Sequence, residues 1–169
     1  SVVEWVKSPE ARSLRVAEIN RIEGLHAALA ELPSLAFSDY DPDAGPGGST
    51  SCVRSEDLTQ LTYPDDAFDL VLTSETLEHV PDLSAALGEI GRVLVPGGRH
   101  LFTIPVLPGV PRTFARMRVG PGGALEHQAV EIRHPGGDVG YPVFTEFGAD
   151  LPEILERAGF ETAVVFGPV

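Results

Sequence analysis

The stretch from residue 56 to residue 105 constrains the fold of this chain more than any other. It holds two short apolar runs, at residues 68–73 and 100–104, and each has the length of a buried strand. Between the two runs, apolar residues recur at the spacing of one helix face: Leu83, Leu87, Ile90, Val93 and Leu94. A strand, a helix and a second strand in this order predict a βαβ unit of a parallel sheet, whose strands are covered on both faces.

Residues at the two ends of this helix predict how it starts and stops. Asp82 comes just before the helix, where its carboxylate can accept a hydrogen bond from the first backbone N–H groups. Gly97 and Gly98 follow the last turn, and glycine readily takes the left-handed conformation of a helix C-cap. We therefore expect the helix to run from Asp82 through Leu94 and to end at the two glycines.

The rest of the chain also alternates between strand and helix patterns. The further predicted strands cover residues 14–19, 35–38, 51–54 and 160–166. The further predicted helices cover residues 24–32 and 150–158, and Gly159 is expected to cap the second one. The sequence thus predicts a single α/β domain with a mostly parallel sheet.

Composition and charge limit the classes of protein to which the chain can belong. The 169 residues are enough for one domain with one core, and no apolar run approaches the roughly 20 residues of a membrane helix. The net charge of −13 repels phosphate backbones, so a nucleic-acid partner is not expected. The single cysteine, Cys52, excludes an internal disulfide framework and predicts a cytoplasmic protein.

Four motifs in the central stretch resemble those of class I S-adenosylmethionine-dependent methyltransferases of the small-molecule type. They are the segment 57–61, the sequence PDDAFDLV at 64–71, LEHV at 77–80 and RVLVPGG at 92–98. Their order and spacing carry the resemblance, which extends from about residue 15 to residue 105. It implies a Rossmann-like α/β fold with an antiparallel last strand, S-adenosylmethionine as cofactor and a small-molecule acceptor.

The resemblance also implies a division of the single domain, residues 1–169. Residues 14–105 correspond to the cofactor-binding half, residues 106–143 to a variable substrate or lid region, and residues 144–169 to the last helix and edge strand. The family usually has one or two helices before the first strand. Because only 13 residues precede it here, either the N-terminus is truncated or the chain is a naturally short variant.

The first cofactor contact in such a fold is a close backbone approach after the first strand. The corresponding run is EINRIEG, in which Glu18 occupies the position of the family's acidic residue and Gly24 that of its last glycine. Asn20 and Ile22 replace two glycines. Asn tolerates a positive φ, whereas the β-branched Ile22 does not, so a plain strand-to-helix turn is an equal alternative here.

Two further carboxylates follow the next strands. Asp39 is expected to accept hydrogen bonds from the ribose hydroxyls, and Asp41 is a near alternative. Asp57 is expected to accept from the adenine amine while Leu58 packs on the ring, and Glu56 competes with Asp57 for this role. The alternative interpretation of these carboxylates is that they are ordinary turn and loop residues.

Candidate residues for methyl transfer follow the fourth strand, and others lie in the variable region. Ser74 is expected beside the methionine end of the cofactor. His79 and His127 are the candidate general bases, although packing or surface roles are open alternatives. Glu126 and His134 are further candidates in the variable region. The five histidines show no metal-ligand spacing, so no metal site is expected.

Two other interpretations remain open from the sequence. The chain could be a methyltransferase-fold module that has lost cofactor binding and serves as an interaction or scaffold domain, as Ile22 and the missing third βα unit would allow. An NAD-binding Rossmann domain is a weaker alternative, because its glycine-rich turn is absent. The oligomeric state is not predicted.

Overall fold

One parallel sheet organises the structure. The structure is a computed structural model and describes residues 2–49, 52–135 and 139–163. The sheet has five strands in the order β3-β2-β1-β4-β5, and every pairing in it is parallel. Its strands are β1 (Val16–Ile19), β2 (Leu35–Asp39), β3 (Arg54–Ser55), β4 (Phe68–Ser74) and β5 (Leu94–Thr103). The chain thus has the predicted α/β architecture.

Five α-helices, two 3₁₀ helices (Leu77–His79 and Pro121–Gly123) and three small antiparallel pairs complete the described structure. The helices are α1 (Val2–Val6), α2 (Pro9–Ser13), α3 (His26–Leu29), α4 (Leu83–Val93) and α5 (Leu151–Arg157). The short strands are β6 (Phe114–Ala115), β7 (Met117–Val119), β8 (Leu125–His127), β9 (Arg133–His134), β10 (Tyr141–Pro142) and β11 (Thr145–Glu146). They pair as β7 with β8, β9 with β10 and β6 with β11. Among the described residues, no helix is long and apolar enough to cross a membrane.

The core consists of two apolar clusters, one on each face of the sheet. Successive residues of the central strands alternate between them: Val16 joins one cluster and Ala17 the other, and Leu70 and Val71 do the same. The helix α4 packs its buried face on the first cluster, and α1 to α3 cover the second. Each large apolar side chain buried in this way contributes about 1.5–3 kcal/mol to stability.

The structure confirms the predicted βαβ unit and corrects the end of its helix. Asp82 caps α4, because its side chain accepts a hydrogen bond from the Ala85 N–H at 3.0 Å. The two glycines do not form the C-cap. They lie inside β5, where Leu94 pairs with Phe68 but Arg99 already pairs with Leu70. Residues 95–98 of β5 therefore lie opposite the single residue Asp69 of β4, and Gly97 supplies the positive φ of +80° in this irregular stretch.

The other element boundaries differ from prediction in ways that tertiary contacts explain. The helix expected over 24–32 is the single turn α3, and β1 starts at Val16 because Leu14 caps α2. The weak third strand is β3, shifted from 51–54 and only two residues long. Within the described ranges, no helix lies between β3 and β4.

The predicted C-terminal helix is confirmed. Part of the strand predicted after it lies outside the described residues. Gly159 has φ +92° and donates to the Glu156 carbonyl, while Phe160 donates to the Leu155 carbonyl, so α5 ends in a Schellman motif. Residues 160–163 are not in a strand, and residues 164–166 of the predicted antiparallel strand lie outside the described residues.

One histidine in the β4–β5 contact makes stability depend on pH. His100 stacks on Phe102 with ring centroids 4.7 Å apart and lies 3.0 Å from Thr73 Oγ1, and desolvation lowers the pKa of His100 to about 4. The unfolded chain, with a histidine pKa near 6.5, therefore takes up the proton first as pH falls. Stability from this group is complete above about pH 6.5 and is lost as pH falls toward 4.

We predict that His100→Gln reduces the loss of unfolding free energy between pH 7 and pH 4 by on the order of 1–3 kcal/mol. Urea unfolding at several pH values measures this difference. The matched control is His127→Gln, which removes an exposed histidine and should leave the pH profile of the wild type unchanged. Equal profiles for the wild type and His100→Gln would contradict the assignment.

Candidate active site

Polar residues gather at the carboxyl ends of β1, β2, β3 and β4, which lie at one edge of the sheet because the strands are parallel. Ile19 pairs with Ser38, and Asp39 pairs with Ser55 across β2 and β3. The loops that follow these residues carry the predicted cofactor contacts. The register therefore brings Asn20, Asp39 and the 56–58 segment to neighbouring strand ends.

Glu18 is fully buried and shapes the turn after β1. Its Oε1 accepts a hydrogen bond from the Ile22 N–H at 2.9 Å, and its Oε2 lies 2.6 Å from His26 Nδ1. His26 in turn packs against the Phe37 ring at 4.3 Å. Both carboxylate oxygens are thus used inside the protein, so Glu18 holds the turn in place and does not present its carboxylate to a ligand. Sequence inspection missed His26, although its position eight residues after Glu18 on the following helix was visible.

The turn adopts its path without the two missing glycines. Asn20 takes the positive φ (62°), and its Oδ1 accepts a hydrogen bond from the Tyr40 N–H at 2.9 Å. Gly24 takes the second positive φ (79°), and a Cβ there would meet nothing within 4 Å. The space beside Gly24 is part of an open depression of ≈ 390 Å³ lined by the turn.

Ile22 does not obstruct this turn. It is not among the described residues with a positive φ, and its side chain is only 9% exposed. It packs in the same apolar cluster as Leu29 and Leu72, on the face of the sheet covered by α1 to α3. The expectation that a β-branched residue here would disturb the turn is therefore corrected.

Asp39 links the turn after β1 to the end of β2. Its Oδ1 accepts a hydrogen bond from the Arg21 N–H at 2.8 Å. Within the described ranges, its Oδ2 has no hydrogen-bond partner. Asp41 Oδ1 instead accepts from the Asp43 N–H, as in an ordinary Asx turn. The geometry thus favours Asp39 over Asp41 as a carboxylate available to a ligand.

The structure also distinguishes between the two acids after β3. Glu56 is 1% exposed and pairs with Arg54, while its Oε2 accepts from the Thr62 N–H at 2.8 Å. Asp57 is half-buried, and only its Oδ1 is engaged among the described residues, by the backbone and side chain of Thr59. Glu56 is therefore a structural residue, and Asp57 keeps one oxygen available.

The segment that carries Asp57 is fixed to the end of α4. Arg92, from the RVLVPGG motif, donates to the carbonyl oxygens of Leu61 and Tyr63 at 2.9 Å each. Leu58 is 4% exposed and belongs to the core cluster on the α4 side of the sheet. The loop after β3 is thus anchored although no helix supports it.

At the end of β4, hydroxyl groups hold the neighbouring strands together. Ser74 Oγ lies 2.7 Å from Thr103 Oγ1 of β5, and Glu75, with φ 48°, donates its N–H to the Thr103 carbonyl. Ser74 therefore sits at the expected strand end and bonds within the sheet.

Beyond β4, a 3₁₀ helix (Leu77–His79) brings an acid and a histidine to the hairpin of β9 and β10. Glu78 is fully buried, and its Oε1 lies 3.7 Å from His79 Nε2 and 3.6 Å from His134 Nδ1. Burial is the main cause that raises the pKa of Glu78 to about 7, and the nearby Glu75 and Glu146 act in the same direction. The His79 and His134 rings meet edge to face at 4.9 Å, a contact that the spacing of the histidines in the sequence did not predict.

The two candidate bases occupy different surroundings. His79 is mostly buried, and its Nδ1 bonds the Pro142 carbonyl at 2.8 Å. His127 is 47% exposed on the β7–β8 hairpin and faces Glu131 at 3.9 Å. Glu126 is an exposed residue of the same hairpin. The structure brings His79 together with His134 and does not bring His127 into that group.

Part of the sequence is similar to known methyltransferases. The family model described as "Methyltransferase domain" matches residues 38–102. A demethylmenaquinone methyltransferase from Mycobacterium marinum is 47% identical over 58 residues, 32% of this chain and 25% of that protein. A ubiquinone/menaquinone biosynthesis C-methyltransferase from Vibrio parahaemolyticus is 34% identical over 106 residues, 58% of this chain and 40% of that protein. The chain thus matches well under half the length of these relatives.

Solved structures show the same fold over nearly the whole chain. An S-adenosylmethionine-dependent methyltransferase from Mesorhizobium loti aligns with a TM-score of 0.55 at 21% identity, covering 94% of this chain and 81% of that one. A second such enzyme, from Methanosarcina mazei, aligns with a TM-score of 0.50 at 17% identity, covering 91% and 85%. The chain therefore has the fold of class I S-adenosylmethionine-dependent methyltransferases, and its residues 38–102 match the methyltransferase family model. The expected cofactor, S-adenosylmethionine, is the one that defines this class.

The role of Glu18 in the turn leads to a stability prediction. Glu18→Ala leaves the buried Ile22 N–H without an acceptor and His26 without its partner, so we expect it to lower the unfolding free energy by about 2–4 kcal/mol. Glu18→Gln should lower the unfolding free energy by less, because the amide oxygen of glutamine can still accept a hydrogen bond from the Ile22 N–H. Urea unfolding of both variants measures the difference, and equal losses would show that the Ile22 bond does not stabilise the turn.

Proposed function

We propose that this domain binds S-adenosylmethionine at the carboxyl ends of β1 to β4 and transfers its methyl group to a small-molecule acceptor. The observation that carries the proposal is the pair of half-engaged carboxylates, Asp39 and Asp57, on neighbouring strand ends beside an open turn. A ligand with adjacent hydroxyls and an exocyclic amine would complete the hydrogen bonding of both.

Each predicted residue has a distinct role in this proposal. The available oxygen of Asp39 accepts from the ribose hydroxyls, and that of Asp57 accepts from the adenine amine. Leu58 lies in the core and supports the loop that carries Asp57. Glu18 positions the turn, and Asn20 and Gly24 let the backbone pass close to the ligand. Ser74 lies at the end of β4, on the side proposed for the methionine part.

The bound cofactor supplies a methyl group on a positively charged sulfur, which is a good leaving group. The protein then mainly has to align the acceptor with that methyl, because holding two reactants in line supplies much of the rate. A general base is needed only for a hydroxyl or protonated amine acceptor. In that case His79, beside the end of β4, is better placed than the exposed His127.

A small-molecule acceptor is supported by charge and by the relatives. The net charge of −13 opposes binding to a phosphate backbone. The matched relatives are named for methylation in quinone biosynthesis, which is chemistry on a small molecule. The single cysteine supports the cytoplasmic location as part of the same proposal.

The alternative of a scaffold domain without cofactor loses its main argument. It depended on Ile22, whose side chain is 9% exposed and packs in the core with Leu29 and Leu72. The absent helix between β3 and β4 is compensated, since Arg92 anchors that segment. The NAD-binding alternative is not favoured either, because the family match is to methyltransferases.

Isothermal titration calorimetry with S-adenosylmethionine and with S-adenosylhomocysteine tests the proposal. We predict one bound ligand per chain, and a loss of about 1–3 kcal/mol in binding free energy for Asp57→Ala and for Asp39→Asn. The reason is that each change removes an acceptor from a polar group of the ligand that becomes buried.

The matched control is Glu31→Ala, which removes an exposed carboxylate near the start of β2, at the opposite edge of the sheet. It should bind like the wild type. The absence of heat with a folded wild-type protein would favour the scaffold interpretation, and equal affinities in all four proteins would place the ligand elsewhere.

A further inference from the structure

Three potential metal ligands converge beyond the end of β4, outside the cofactor contacts. Glu78 and His79 come from the 3₁₀ helix, and His134 comes from β9, 55 residues after His79 in the sequence. One ligand atom from each lies within 4.8 Å of the other two. The 3₁₀ helix is held to the hairpin on which His134 lies by two bonds, from Phe144 N–H to the Glu78 carbonyl and between His79 and the Pro142 carbonyl.

The Glu78 carboxylate is the feature that requires explanation. The residue is 0% exposed, and neither of its oxygens has a hydrogen-bond partner among the described residues. A buried carboxylate without a partner is strongly unfavourable, and proteins normally pair it or use it to coordinate a metal. Among the described residues no arginine or lysine forms an ion pair with Glu78, and Arg116 pairs with Glu146.

The orientation of His79 suits a ligand. Its Nδ1 lies 2.8 Å from the Pro142 carbonyl, which can only accept, so Nδ1 carries the hydrogen. The lone pair of the neutral ring is then on Nε2, the atom that faces Glu78. Metal-binding histidines commonly have the second ring nitrogen fixed by a backbone carbonyl in this way.

The distances also indicate a shared ion. Glu78 Oε1 lies 3.7 Å from His79 Nε2 and 3.6 Å from His134 Nδ1, which is too long for a hydrogen bond. Two ligands bound at 2.0–2.2 Å to one tetrahedral zinc lie roughly 3.3–3.6 Å apart. Small side-chain movements would therefore place all three atoms around one cation.

We propose that Glu78, His79 and His134 form a binding site for a divalent transition-metal cation of the zinc class. Two imidazoles and one carboxylate suit this borderline cation, and three protein ligands leave a coordination position open. His134 is 35% exposed, so the cation can reach this ligand from solvent. The site shares only His79, the candidate base for a hydroxyl or protonated amine acceptor, with the proposed methyl transfer, and metal titration without S-adenosylmethionine tests it separately.

Metal titration of the 169-residue protein tests the proposal. After treatment with a chelator and dialysis, the protein is titrated with zinc chloride by calorimetry and with cobalt(II) by visible absorption. We predict one cation per chain, a cobalt spectrum typical of low coordination number, and a rise in Tm with zinc. Glu78→Gln and His134→Gln should each weaken binding at least about tenfold, because each removes a direct ligand.

Matched variants keep the test decisive. His127→Gln removes an exposed histidine outside the cluster and should bind zinc like the wild type. Without metal, Glu78→Gln should have a higher Tm than the wild type, since it removes the buried carboxylate, and zinc should no longer raise it. If Glu78→Gln does not fold, the zinc affinity of His134→Gln tests the proposal, because His134 is partly exposed and its substitution should not prevent folding. Zinc affinity equal in the wild type, His134→Gln and His127→Gln, or no binding to the wild type, would overturn the proposal.

Discussion

Parallel pairing of β1 with both β2 and β4 is the constraint on which the candidate site depends. Since all five strands run in one direction, every carboxyl end lies at the same edge of the sheet. The register then places Asp39 beside Ser55, two residues before Asp57. Carboxylates that are 18 residues apart in the sequence thereby become neighbours. The two apolar clusters hold the sheet from both faces, so the position of this edge is fixed by core packing.

The turn after β1 shows how a buried carboxylate can replace glycine in shaping a loop. Glu18 binds the Ile22 N–H and pairs with His26, and Ile22 fills the core. The positive φ angles fall on Asn20 and Gly24, which tolerate them. Asn20 also bonds the backbone at the end of β2, so the same turn ties the first two strand ends together. The departures from the family's glycine pattern are thus compensated by specific contacts.

The strongest local patterns of the sequence predicted the fold well. The run at β4, the helix α4 with its Asp82 cap, and the Schellman motif at Gly159 each follow from nearby residues and were found as expected. Gly97 and Gly98 were misassigned because glycine serves equally well in a C-cap and in a β-bulge. The pairing with Phe68 and Leu70 decided between them, and that pairing is a tertiary contact.

The site was predicted less completely, for a related reason. The positions of Asp39 and Asp57 follow from strand ends, which local patterns show. Two other features depend on which loops pack together. Glu56 is bound by Arg54 and Thr62, and His79 contacts His134. Spacing along the chain carries no signal for a contact across 55 residues. Such clusters become visible only when the hairpin is placed against the sheet.

The most direct test of the central claim is a crystal structure of the protein with S-adenosylhomocysteine. We predict that the adenosyl group lies across the carboxyl ends of β1 to β3, with Asp39 bonded to the ribose hydroxyls and Asp57 to the adenine amine. A bound ligand that contacts neither carboxylate, or an Ile22 side chain turned out of the core toward the ligand, would contradict the account.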